Sequence, residues 1–216
     1  MSSRMDAGSE AASIKARAGY YSTDIGVKFA FSLIFAILMA ISANSFIYLP
    51  FTPVPITTQV LTVLLSGLFL GSRWALASQT IYILMGIIGL PVFSGFKNGA
   101  AFLAGPTVGY VIGFMAAAFV TGYIYENWAK KDGNSLSHIL ASSISCIFGV
   151  ILIHLFGFIY LFGYFHTLTG AGSILDMLIK SWKLGTQPFL IIDFLKVIAA
   201  VSIVNLNRTK DEKNKD

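Results

Sequence analysis

Charge is what this chain of 216 residues has least of: Asp, Glu, Lys and Arg together make up 12% of it, about half the share of an ordinary soluble domain. Cysteine is scarcer still. Cys146 stands alone, so no disulfide can close within the chain and no cysteine cage can hold a metal. His138, His154 and His166 are scattered without metal-ligand spacing. There is no Walker-type phosphate loop, Gly95-Phe96-Lys97-Asn98-Gly99 being only a superficial echo of one. HExxH and GxSxG are missing as well, which removes the zincin and α/β-hydrolase chemistries. The net charge of +5 does not mark a nucleic-acid binder, because the basic residues sit at the ends of apolar runs rather than in one patch.

What fills the chain instead is hydrocarbon. Hydrophobic residues make up 56% and the mean hydropathy is +0.75. Six apolar runs, at roughly 27–48, 56–72, 74–92, 106–128, 138–164 and 187–206, predict an all-α integral membrane protein: a six-transmembrane-helix bundle. Residues 1–24 are expected to form a flexible cytoplasmic tail, 25–206 the bundle and 207–216 a solvated cytoplasmic C-terminal tail. The polar stretch before the first run, and that run's length, argue against a cleaved signal. The second and third runs are short and separated only by Gly71-Ser72-Arg73, a tight helical hairpin. The fifth is too long for one upright span. Trp74, Trp128 and Trp182 fall near run ends, as interfacial anchors do.

Lys and Arg set the orientation. With six spans, eleven of them fall on the side that holds both termini and the 71–73 and 129–137 connections; only Lys97, Lys180 and Lys183 fall opposite. Both termini are therefore expected in the cytoplasm. On the other side, 48–55 carries three prolines that stiffen it into an extended path. The segment 92–106 mixes glycine with apolar residues, which suits a Gly-rich, partly re-entrant loop folding into a bundle mouth. Ile174 to Trp182 is amphipathic and suits the membrane surface.

The last run holds both an acid and a base, Asp193 and Lys196. Three residues apart on a helix, they project from nearly one face, and ionisable groups at bilayer depth usually face a bundle interior or a ligand. An ion pair that fixes helix rotation is the plainer reading. A solute site is preferred, because packing alone is better served by apolar residues. Tyr110, Tyr82, Gln59 and Gln79 carry polar groups that need partners within spans, and any of them can serve a site. His154 is expected to be packed and hydrogen-bonded, and Glu126, near a span end, to be solvated or capped. Ser32, Ala36 and Ala40 recur at four-residue spacing on the first span. Such a stripe serves close packing within the bundle or docking of another membrane subunit. Gly105, Gly109 and Gly113 form a second stripe, read as packing first.

Several segments together resemble the BioY family, the substrate-binding components of energy-coupling factor (ECF) transporters for biotin. They are Phe51-Thr52-Pro53-Val54-Pro55-Ile56-Thr57-Thr58-Gln59, Gly89-Leu90-Pro91-Val92-Phe93-Ser94-Gly95, Ala104-Gly105-Pro106-Thr107-Val108-Gly109-Tyr110-Val111-Ile112-Gly113 and the Asp193-to-Lys196 stretch. The chain departs from the family at Phe96-Lys97-Asn98, where glycine is commoner, and at Ile191-Ile192, where a proline-glycine pair is. The resemblance implies a six-helix bundle, in a bacterial-type inner membrane, that captures biotin near its non-cytoplasmic surface. It places Asp193 and Lys196 at the ligand, adds Asn98 from the Gly-rich loop, and leaves Gln59 and Tyr110 as further candidate contacts. It implies as partners a transmembrane coupling protein and two cytoplasmic ATPases that use the ATP, with no cofactor in this chain, and makes Ser32, Ala36 and Ala40 the candidate docking stripe. An S component for another vitamin or small precursor, an intramembrane enzyme using Asp193 and Lys196, and a structural subunit of a membrane complex are the rival readings.

Overall fold

The computed structural model describes residues 3–99, 102, 104–129, 135–169 and 173–213, with side chains from residue 24 onward apart from 129, 169 and 208–213. Lys130 and Lys131, and part of the expected re-entrant loop (100, 101 and 103), lie outside the described residues, as do the ends of both expected tails.

Helix α1 (Ser3–Asn44) leads into β1 (Phe46–Ile47) and β2 (Ile56–Thr57), followed by α2 (Gln59–Leu70), α3 (Ser72–Ile87), α4 (Val108–Ala129), α5 (Ser135–Thr169), α6 (Ile174–Gly185), a single 3-10 turn (Gln187–Phe189) and α7 (Leu190–Lys213). Residues 3–23, expected as a flexible tail, continue helically into the first apolar run. Among the described residues four helical stretches are long and apolar enough to cross a membrane: Asp24–Asn44, Val108–Trp128, Ser135–Leu168 and Ile174–Asn207. The chain is a mostly helical, multi-pass membrane protein. Helices α2 and α3, of 12 and 16 residues, reach about 18 and 24 Å, short of a hydrocarbon core of about 30 Å.

The short α2 sits centrally, touching α1, α3, α4 and α7. A helix apolar all round belongs there, and Val63 and Leu64 are fully buried. It ends at Gly71, whose φ of +75° suits glycine. A side chain there would also strike Glu126, whose Oε2 accepts from Ser72 Oγ at 3.0 Å. Glu126 thus places a carboxylate at the start of α3, where the helix dipole favours it.

The most extensive helix contact is α4 on α5. Gly109 and Gly113 of α4 lie against Tyr160, Phe156 and Ile153, while Gly157 of α5 lies against the Tyr110 ring. Small residues let two membrane helices approach closely, so Gly109 and Gly113 of the second stripe serve packing. Helix α5 runs unbroken for 35 residues, about 52 Å.

The stripe on the first span is corrected as a docking surface. Ser32 and Ala36 are fully buried and Ala40 is partly so. Ser32 Oγ donates to the carbonyl of Trp74 in α3 at 3.0 Å. This face is the seam between α1 and its neighbours α2 and α3, and nothing can dock on it without unpacking the bundle.

Candidate functional site

Three connections meet at one end of the bundle. The proline-rich 48–55 segment is held back on itself by the β1–β2 pair, Phe46 opposite Thr57 and Ile47 opposite Ile56. It is fastened to α6 by Thr52 Oγ1, which donates to the Leu184 carbonyl at 2.5 Å. Beyond α3, Phe93 and Lys97 exchange backbone hydrogen bonds around a tight loop in which Gly95 and Phe96 both have positive φ. Bulky Phe96 is strained there, and Asn44 Oδ1 holds it by accepting from its N–H at 2.9 Å. Phe93 turns inward and stacks on Phe102 at 3.7 Å, while Phe96 faces outward.

Beneath these segments lies a cavity walled by Val54, Tyr82, Phe102, Tyr110, Phe114, Ile153 and Phe189, with Gln59, Ser94, His154, Asp193 and Lys196 as its main polar groups. It encloses about 50 Å³, room for only a few waters.

The polar centre of the cavity is Asp193, buried in the first turn of α7. Pro188 in the preceding 3-10 turn starts that helix, a position proline favours, and an acid near a helix N-terminus is favoured by the dipole. Lys196 Nζ donates to Oδ1 at 2.7 Å and His154 Nε2 to Oδ2 at 2.8 Å. Each carboxylate oxygen thus has one protein donor and one lone pair to spare. The ammonium of Lys196 keeps two N–H groups beyond the one given to Asp193. The hydroxyl of Ser94 is buried and, among the described residues, has no hydrogen-bond partner.

Gln59 and Tyr110 also reach the cavity, but their polar ends serve the fold. Gln59 Nε2 donates to Tyr82 Oη at 3.1 Å and its Oε1 accepts from Thr57 at 3.2 Å. Tyr110 Oη donates to the Gly185 carbonyl at 2.7 Å, so its ring is what faces the cavity. Asn98 is not brought in. Its Nδ2 donates to the Gly89 carbonyl at 2.8 Å on the exposed side of the loop, and it is absent from the lining. Gln79 lies elsewhere, donating to Ser66 and Ser78.

Sequence reasoning missed His154 and Ser94 as site residues. Histidine was expected to be packed and hydrogen-bonded, which it is, but its partner lies 39 positions away on another helix, beyond any spacing rule. Ser94 had no signal beyond its place in a Gly-rich segment. Among the described residues no group of three or more His, Cys, Asp or Glu is arranged to hold a metal ion. The arrangement suits a small solute with an apolar body and hydrogen-bonding edges.

A family model described as the BioY family matches residues 15–211. A biotin transporter BioY from Thermotoga maritima is 36% identical over 181 residues, 83% of this chain and 95% of that protein. A biotin transporter BioY from Rhizobium etli is 34% identical over 170 residues, 78% and 86% of the two chains. A crystal structure at 2.1 Å of the S-component for biotin from an ECF-type ABC transporter is similar in fold, with a TM-score of 0.68 at 25% identity, covering 87% of this chain and 93% of that one.

Proposed function

The chain belongs to the BioY family, and on that footing we infer that it is a biotin transport protein, not an enzyme, which binds the vitamin in the cavity around Asp193. The observation that carries the site is the cluster of Asp193, Lys196 and His154 within an otherwise apolar-walled cavity. Biotin has a neutral ureido ring with two N–H donors and a carbonyl, a thioether ring and an acidic tail. The spare lone pairs of Asp193 accept from the ureido N–H groups. The remaining Lys196 donors meet a carbonyl or carboxylate, and Ser94 supplies a further hydroxyl. The rings of Tyr110, Phe102 and Phe189 cover the bicyclic body. Asn98 acts indirectly, by holding the loop that carries Ser94.

The chain delivers biotin inward together with an ATP-driven ECF module, a transmembrane coupling protein and two cytoplasmic ATPases. That partnership rests on the likeness to an ECF S-component and agrees with the lack of a phosphate loop in this sequence. The chain itself carries no cofactor. In this reading α2 and α3 complete a six-span bundle, their short lengths made up by the segments that flank them. Both termini face the cytoplasm of a bacterial-type inner membrane, as the Lys and Arg bias supports, and the cavity opens to the opposite side. The face that meets the coupling protein is not the Ser32–Ala36–Ala40 seam.

Equilibrium binding of biotin to the purified, detergent-solubilised chain tests this reading. Saturable binding that unlabelled biotin displaces and thiamine and riboflavin do not is expected, with Asp193→Asn weakening it at least about tenfold through the loss of charge-assisted hydrogen bonds. Displacement by another vitamin instead would assign the same bundle to that solute. A folded parent that binds none of them refutes the assignment.

A further inference from the structure

The charge balance of the cavity bears on which ligands it accepts. Among the described residues that line it, only Asp193 and Lys196 carry a fixed charge. The two cancel: Lys196 Nζ is 2.7 Å from Asp193 Oδ1, and both side chains are largely buried. The other polar ends are neutral, and most are committed within the protein. Gln59 Nε2 donates to Tyr82 Oη, which itself donates to the Val92 carbonyl at 3.4 Å. Thr57 Oγ1 donates to Gln59 and Tyr110 Oη to the Gly185 carbonyl. The interior thus complements a group that is polar but uncharged. A ligand carboxylate placed there would be a second anion competing for one ammonium, at a depth where unpaired charge is costly.

The rim offers no cation either. Pro55, Thr57, Ser94 and Thr107 line the cavity and are each partly exposed, which marks its solvent side. The segments that carry them, 48–57, 91–96 and 104–107, contain no Asp, Glu, Lys or Arg. Lys97 follows in the chain, but it is exposed and absent from the lining, where water and salt screen its pull on an anion.

Resting on biotin as the ligand, we propose that the cavity recognises the neutral ureido bicycle alone and leaves the acidic tail in water at the rim. Its ligand class is therefore the ureido bicycle with either a charged or a neutral tail, biotin amides and esters as well as biotin. The ureido head brings two N–H donors and one carbonyl, which match one carboxylate and one ammonium that offset each other. Lys196 accordingly meets the ureido carbonyl, and the tail has no counter-ion of its own.

Competition for radiolabelled biotin on the purified, detergent-solubilised chain tests this. The measurement is made at pH 8, above the ordinary histidine range, with unlabelled biotin and biotinamide as competitors. Biotinamide is expected to displace the label within about fivefold of the concentration that biotin needs. Loss of a charge-assisted bond from the tail to a buried ammonium would weaken the amide about tenfold or more, so a gap wider than fivefold overturns the proposal. In Lys196→Gln both ligands should weaken by the same factor, since the lysine serves the head they share; weakening of biotin alone would place the tail at Lys196 and also overturn it. The parent comparison decides even if that variant does not fold. Failure of biotin itself to bind would remove the biotin assignment, and the parent titration shows this before any amide is added.

Discussion

Alanine in place of Gly157 tests how the cavity wall is held. A Cβ at that position falls 2.2 Å from the Tyr110 ring, far inside contact distance. The ring cannot swing aside cheaply: Tyr110 is 7% exposed and its hydroxyl is fixed to the Gly185 carbonyl at 2.7 Å. Overpacking a tight contact costs about 1–3 kcal/mol, and loss of the tether adds about 0.5–1.5 kcal/mol. Against this, glycine-to-alanine in a helix interior gains up to about 1 kcal/mol. The net is a destabilisation of about 0.5–4.5 kcal/mol. Gly163 lies on the same helix with nothing within 4 Å of its Cβ, so Gly163→Ala keeps the helix gain and meets no clash. It is expected to be neutral or stabilising by up to about 1 kcal/mol.

Thermal unfolding of the detergent-solubilised variants reads the difference in sign, and biotin titration reads the displacement of the cavity wall. Gly157→Ala should lower the midpoint and weaken biotin, while Gly163→Ala should do neither. Adding Tyr110→Phe to Gly157→Ala should cost less than the two single changes summed, since the untethered ring yields to the methyl group. Equal midpoints for the two alanine variants would refute the packing argument.

Ala36→Leu is expected to destabilise the bundle itself by about 1–3 kcal/mol through overpacking, lowering the unfolding midpoint; an unchanged midpoint would return that seam to the surface. Ser94→Ala removes a hydroxyl that makes no bond within the described protein, so it should weaken biotin about two- to tenfold without lowering the midpoint. Asn98→Ala, outside the cavity, should change biotin affinity by less than about threefold; a larger loss for Asn98 than for Ser94 would reverse their roles. Lys196→Met alone leaves the Asp193 carboxylate without its cation and should cost about 3–5 kcal/mol, whereas Lys196→Met with Asp193→Leu should recover much of that in unfolding measurements, even as biotin binding is lost. An additive double variant would argue against a coupled pair.

Local chemistry was readable in the sequence; pairing across the bundle was not. Asp193 and Lys196 sit one helical turn apart, so their meeting follows from spacing alone, and the brief break at Gly71-Ser72-Arg73 between two apolar runs announces a helical hairpin. Four-residue stripes fix which side chains share a face but say nothing of what the face meets. Gly109 and Gly113 of α4 pack on α5, and Ser32 and Ala36 face the bundle interior rather than a docking partner. His154 reaches Asp193 only because α5 and α7 lie side by side, and Thr52 reaches Leu184 across 132 positions. Asn98 carries its amide in a glycine-rich loop. The loop turns that amide back onto Gly89, which spacing could not show.

The two donors on Asp193 bear on how the site works when empty. Its side chain is 3% exposed, with Lys196 at 12% and His154 at 9%. A carboxylate so placed and left alone would be costly in a membrane interior. A transport protein must nonetheless persist unloaded, with no solute to bond that group. Lys196 and His154 act as standing partners: one supplies charge and one a directed hydrogen bond, and they occupy different oxygens so that neither blocks both. The arrangement spares the empty cavity a stranded charge. It also keeps the cavity's polar geometry set before loading, so that less ordering is required on binding. The same three side chains thus keep a buried carboxylate stable while the cavity is empty.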